Sequence, residues 1–164
     1  MKISAVVAIL MLTFTTQAQH QDPRTPEQQH AAMMHRGDQG MGFSQEKTKH
    51  RFTLLKHGGE IQVTAKDANH SDNLEHIRMH LSHAAKMFSA GDFDIPMFVH
   101  GTIPPGVPVM KKLHAFIQYE YREVENGGKI TIATTNPKAL AAIHKFLRFQ
   151  TSEHQTGDST DVVQ

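Results

Sequence analysis

The chain contains no cysteine. No disulfide can staple it, no thiolate can bind a metal, and cysteine-nucleophile chemistry is excluded. A clear excess of either charge is missing too, since 17 Lys and Arg face 16 Asp and Glu. Nucleic acid calls for a one-sided basic surface and is not an expected partner. The signatures of common enzyme classes are also absent. There is no His-Glu-x-x-His zinc helix, no Gly-x-Ser-x-Gly nucleophile elbow, no phosphate-binding glycine loop and no dinucleotide fingerprint. Beyond residue 18 no stretch is apolar enough to span a membrane.

The N-terminus reads as an export signal. Lys2 precedes an apolar run over residues 3–14, broken only by Ser4 and Thr13. Thr16-Gln17-Ala18 places small residues where signal peptidase reads them, so the mature chain is expected to begin at Gln19. The apolar run falls well short of the roughly 20 residues that a membrane-spanning helix requires. The expectation is a signal peptide over residues 1–18 and a periplasmic or secreted product, with no membrane insertion after cleavage. Removing Lys2 with the signal leaves 16 basic against 16 acidic residues. The mature length suits a single domain with a modest core.

Histidine is the abundant residue. All 13 lie beyond residue 18, accompanied by seven of the nine methionines. An excess of this kind has three explanations: metal ligation, pH sensing or lineage drift.

Turn and capping signals organise the chain. Thr25-Pro26-Glu27-Gln28 is a capping box with proline at the first helical position, and predicts a helix to about Arg36 that stops at Gly37. With the following loop it forms an N-terminal segment, residues 19–47. A domain over residues 48–156 follows. Residues 48–56 alternate with His50, Phe52 and Leu54 on one face, His57-Gly58-Gly59 turns, and residues 60–65 return with Ile61, Val63 and Ala65 inward. A helix is predicted from Asp72 to about Ala90, ended by Gly91. Residues 93–99 read as a short edge strand, with Pro96 barred from a sheet centre, and a proline-rich loop runs over residues 100–108. The hairpin-then-helix pattern then recurs: residues 114–124, the turn Asn126-Gly127-Gly128, residues 129–134, and a helix from Asn136-Pro137 to about Gln150 or His154. Residues 157–164 read as a disordered polar tail. The expected fold is α+β: two ββα units forming a four-stranded, mainly antiparallel sheet with two helices packed on one face, plus an N-terminal helix.

On the second helix Leu74, Ile77, Leu81, Ala84, Ala85 and Phe88 make an apolar stripe. Beside it His76, His80, His83 and Met87 recur at spacings that make neighbours of consecutive side chains. A pair of these imidazoles with a donor from elsewhere would suit a metal ion. On the first helix His30 and Met34 form a softer pair, fitting copper. His50 and His100 are further candidate ligands, while His144 and His154, on the last helix, are expected to be structural. Arg36-Gly37-Asp38 matches an adhesion tripeptide, and Asp92 or Asp94 with His100 could form a carboxylate–imidazole pair.

Several stretches carry a resemblance. They are Arg36-Gly37-Asp38 running into Met41-Gly42-Phe43, His76-Ile77-Arg78-Met79-His80-Leu81-Ser82-His83, and Phe93-Asp94-Ile95-Pro96-Met97-Phe98-Val99-His100. Pro104-Pro105-Gly106-Val107-Pro108-Val109-Met110 and His144-Lys145-Phe146-Leu147-Arg148-Phe149-Gln150 complete the set. In these the chain resembles a family of uncharacterised exported bacterial proteins. The resemblance implies export and a bacterial envelope, and carries no activity with it.

Three functions remain open at this level. The leading one is a periplasmic protein binding a transition metal, copper before zinc or nickel, without a nucleotide cofactor. An envelope interaction module without metal is the second. A small His-dependent or metal-assisted hydrolase is the third, with the segment 92–110 as pocket wall and His100 as general base.

Overall fold

The structure, a computed structural model, describes residues 24–67 and 71–163. The expected signal peptide lies outside the described residues, among which no helix is long and apolar enough to cross a membrane. The first helix, α1 (Pro26–Met41), starts with the anticipated box: Thr25 Oγ1 accepts from the Gln28 amide, and Gln28 Oε1 accepts from the Thr25 amide. It does not stop at Gly37. It continues to a left-handed Gly42, whose amide closes on Asp38 O. Gly37 is kept in the helix because the Gln45 side chain lies where a Cβ would sit.

A hairpin follows, β1 (Thr48–Leu55) and β2 (Gly58–Ala65), then the long helix α2 (Ser71–Ser89). Burial reaches Ile77, Leu81, Ala84, Ala85 and Phe88 of the predicted stripe, while Leu74 is half-buried. Residues 93–99 are not an edge strand. They belong to the helix α3 (Asp94–His100), capped by the left-handed Gly101. Pro96 lies in its first turn, where a missing amide costs nothing, and Asp92 Oδ1 accepts from the Asp94 amide. The proline-rich loop leads into a short helix, α4 (Val107–Lys112). A single 3-10 turn over His114–Phe116 delays the third strand, so β3 spans Gln118–Val124 instead of beginning at residue 114. Strand β4 (Gly127–Ala133) and helix α5 (Pro137–Glu153) complete the second hairpin-and-helix run, with Asn136 Oδ1 accepting from two amides at the start of α5.

The fold is α+β, and its sheet is open, mixed and five-stranded in the order β3-β4-β2-β1-β5. The four long strands pair antiparallel, with Ile61 opposite Ile130 at the centre. The fifth strand corrects the four-stranded expectation: Val162–Val163 (β5) pairs parallel with β1, inside the segment expected to be a polar tail. Helices α2 and α5 share one sheet face, and a single core joins Leu54, Val63, Ile130 and Ile132 to Ile77, Phe88, Ile143 and Phe146. Gly59 permits the close approach of α5, because a Cβ there would meet Leu147 Cδ1 at 2.1 Å.

The return after α5 is clamped to the sheet. Asp158 Oδ2 accepts from the Phe52 amide at 2.8 Å and from Thr156 Oγ1 at 2.7 Å. Arg148 Nε donates to Thr160 O. The carboxylate occupies the place of a neighbouring strand at Phe52, and so holds the residues after α5 against β1. Asp158→Ala is expected to destabilise the fold by about 1.5–3 kcal/mol, as befits a lost charged hydrogen bond. Urea unfolding measures it, and an unchanged midpoint would show that the clamp carries no weight.

Candidate functional site

Four histidines from four elements line one pocket: His50 of β1, His80 of α2, His100 at the end of α3 and His154 at the C-cap of α5. The space is small, about 70 Å3, and its other walls are mainly apolar, among them Met41, Phe52, Leu81, Val99 and Phe146.

Local structure aims each ring inward. In β1 the alternation puts His50 on the same face as buried Phe52 and Leu54. Its ring lies 6.3 Å from Phe52, 6.4 Å from Phe43 and 5.0 Å from His154, the last with planes within 14°. On α2, His80 precedes Leu81 at the border of the apolar stripe and is half-buried, its ring meeting the Phe43 ring edgewise at 5.5 Å. His100 is buried because α3 ends against α5. Its Nε2 lies 3.0 Å from Gln150 Oε1, and its ring contacts Phe149 at 4.9 Å and His154 at 5.2 Å. His154 sits between His50 and His100, held by its amide on Gln150 O and by the clamped segment that follows.

Burial sets the charge of these rings. It pushes His50 and His80 down to about 4, helped at His50 by the positive charge of His80 and Lys66 and at His80 by His83. Burial lowers His154 well below the usual histidine range, with His50, His100 and His30 adding to the effect. His100 is also lowered by burial, against the opposing influence of Gln150 and of Glu153, whose Oε2 is 4.0 Å from Nδ1. The rings are therefore neutral near pH 7. Two of their nitrogens, His50 Nε2 and His100 Nδ1, are buried without a hydrogen-bond partner among the described residues, as is Gln150 Nε2. Unpartnered buried polar atoms are costly and rare, and a bound ion or water is one of the explanations they call for.

Of the residues singled out in the sequence, the pocket brings together His50, His80 and His100. His76 and His83 are exposed, and Met87 is half-buried on the same helix without lining the pocket. His30 and Met34 line an adjoining groove that shares His50 and His154 with the pocket. The sequence reading missed His154. Its only signal is a position just past the last turn of a helix, which names no neighbour. His144 is structural, its Nε2 lying 2.9 and 3.0 Å from Leu55 O and Gly58 O and tying α5 to the first hairpin. The carboxylate near His100 is Glu153 and not Asp92 or Asp94. The adhesion-like tripeptide is internal scaffolding: Arg36 Nε donates to Phe98 O and Val99 O, and Asp38 Oδ1 accepts from the Gln45 amide. Among the described residues, no three His, Asp or Glu side chains stand assembled around one ion position.

The lowered histidine values have a consequence for stability. Below about 6.5 the unfolded chain takes up protons that the folded rings refuse. Stability is therefore full above pH 6.5 and is lost as pH falls toward 4. The urea midpoint should fall between pH 7 and 4.5 by an equivalent of ~2 kcal/mol or more, and His80→Gln should flatten that slope. Equal midpoints at pH 7 and 5 would contradict the buried, neutral assignment.

Comparison with protein-family profiles, with curated proteins and with solved structures returns no match, so the geometry of the pocket bears the functional argument alone.

Proposed function

We propose that the chain is an exported binding protein for a soft transition-metal ion, copper before zinc or nickel, held by the rings of His50, His80, His100 and His154. One observation carries the reading: four imidazoles from separate elements line a single buried space. Its volume of about 70 Å3 suits an ion. It is far below the roughly 300–1,000 Å3 of sites that enclose organic ligands, which disfavours the hydrolase.

The chemistry of the donors agrees. Neutral imidazole is the form that ligates, and burial keeps His50 and His80 in it down to about pH 4. Metal–nitrogen bonds near 2.0–2.1 Å set the ring centroids of two tetrahedral ligands about 5 Å apart. The spacings at His154 are 5.0 Å to His50 and 5.2 Å to His100. The Met41 thioether lines the same pocket, and thioether with imidazole is a set that favours copper. The rings form two pairs that share His154, and a further donor, His80 or Met41, would turn about its side-chain bonds to close the shell. Of the α2 stripe only His80 takes part. The signal-like residues 1–18 and the resemblance to exported bacterial proteins support action outside the cytoplasm, and the doubled hairpin-and-helix plan supplies the rigid frame.

The test is retention of Cu(I) and Zn(II) by protein lacking residues 1–18, measured by elemental analysis after desalting. One Cu(I) per chain is expected, held more tightly than Zn(II). A His50→Gln/His154→Gln variant, its fold checked by circular dichroism, should lose affinity by about 100-fold or more, at or above the range seen for supporting groups alone. A His76→Gln/His83→Gln variant should bind as the parent does. No retained metal, or loss only in the second variant, would overturn the proposal.

A further inference from the structure

The inner pocket is small and mainly apolar, so an ion must shed its water before it can enter. Next to it lies a larger groove of about 350 Å3, bounded by α1, the start of β1 and the residues after α5. His50 and His154 line both spaces. Each space also has donors of its own, Met41, His80 and His100 on the inner side and His30 and Met34 on the outer.

We propose that this groove is the port of the metal site, where His30 and Met34 take up the ion and pass it inward through the His50–His154 ring pair. The inference rests on the metal-binding reading above and adds the route and the preferred charge state.

Placement supports a port. His30 and Met34 are one helical turn apart on α1, so their side chains are neighbours on one face. Residues 24–29 are exposed, whereas His30 and Met34 are half-buried beside the groove. Gln45 also lines the groove: it is buried, its Nε2 donates to Met34 O, and its Oε1 has no hydrogen-bond partner among the described residues. His50 Nε2, likewise unpartnered, belongs to a ring that both spaces share. An ion held first by His30 and Met34 can exchange donors one at a time, without ever being bare in an apolar space.

The charges in the groove select among ions. Lys49 and Lys66 line it, and among the described lining residues Glu46 alone carries a negative charge, with the Lys66 ammonium bonded to the Glu46 carbonyl. Such a surrounding repels a divalent cation about twice as strongly as a univalent one. With thioether and imidazole as donors, the fitting cargo is a soft univalent ion, Cu(I) or its analogue Ag(I).

The experiment separates entry from retention. Cu(I) in an acetonitrile buffer is mixed with protein lacking residues 1–18 in a stopped-flow instrument, and affinity is measured separately by competition with a chromophoric chelator. The His30→Gln/Met34→Leu variant should load at least about tenfold more slowly than the parent, the scale at which groups outside a shell act, with affinity and 1:1 stoichiometry unchanged. A His76→Gln/His83→Gln control should load at the parental rate. An unchanged loading rate in the His30/Met34 variant would overturn the port while leaving the metal site standing. So would a loss of affinity equal to that of the His50/His154 variant, which would place these residues in the final shell, or a second ion resident in the parent and missing from the variant. A parent that retains no Cu(I) would end both readings.

Discussion

Neutral imidazoles can be buried together, whereas imidazolium ions at the same spacing would repel one another and lack water to solvate them. The pocket depends on this asymmetry. With His50, His80, His100 and His154 unprotonated, β1, α2, α3 and the end of α5 can close on a mainly apolar space. Protonation of any one ring lowers the tendency of the others to be charged, which is why His80 acts on His50 and His50 on His154. The same constraint leaves His50 Nε2 and His100 Nδ1 without hydrogen-bond partners among the described residues, the condition that a metal donor requires.

The fold meets the constraint by bringing distant segments to one end of the first hairpin. Burial of Phe52 and Leu54 fixes the face on which His50 projects, and the apolar stripe of α2 puts His80 at its border. Arg36 ties α1 to the carbonyls at the end of α3, which sets His100 against Gln150. Asp158 closes the arrangement from the other side by holding the segment after His154 on the edge of β1. Polar contacts made at the ends of elements therefore bring the rings together, while core residues such as Ile61, Ile130 and Phe146 supply the apolar walls. An ion bound there would bridge segments more than a hundred residues apart in the chain and would stabilise their association by mass action.

Much of this frame was legible in the sequence. The two hairpins, the helices ended at Gly91 and begun at Asn136-Pro137, and the inward face of β1 followed from period, turns and caps. The edge-strand expectation failed at residues 93–99, where Pro96 marked a helix's first turn and the Gly101 cap was the better signal. The C-terminal segment was opaque because its order comes from long-range contacts, chiefly the Asp158 carboxylate on a strand amide, which no local pattern encodes. For the site, a helical wheel identified His80 but grouped it with His76 and His83, which point to solvent. Helical spacing reports neighbours on one helix. The rings that gather here come from four elements, and their meeting is set by tertiary packing alone.

A metal site here requires the four rings to act as one unit, and nuclear magnetic resonance of the histidine side chains reads that most directly. Protein labelled with 15N is titrated with Ag(I), a diamagnetic stand-in for Cu(I), while ring resonances are followed at pH 7. Neutral pocket rings are expected before addition. His50, His154 and at least one of His80 and His100 should shift together, complete at one equivalent, while His76 and His83 stay still. Shifts spread over the exposed histidines, with the pocket rings unmoved, would rule out the four-ring site.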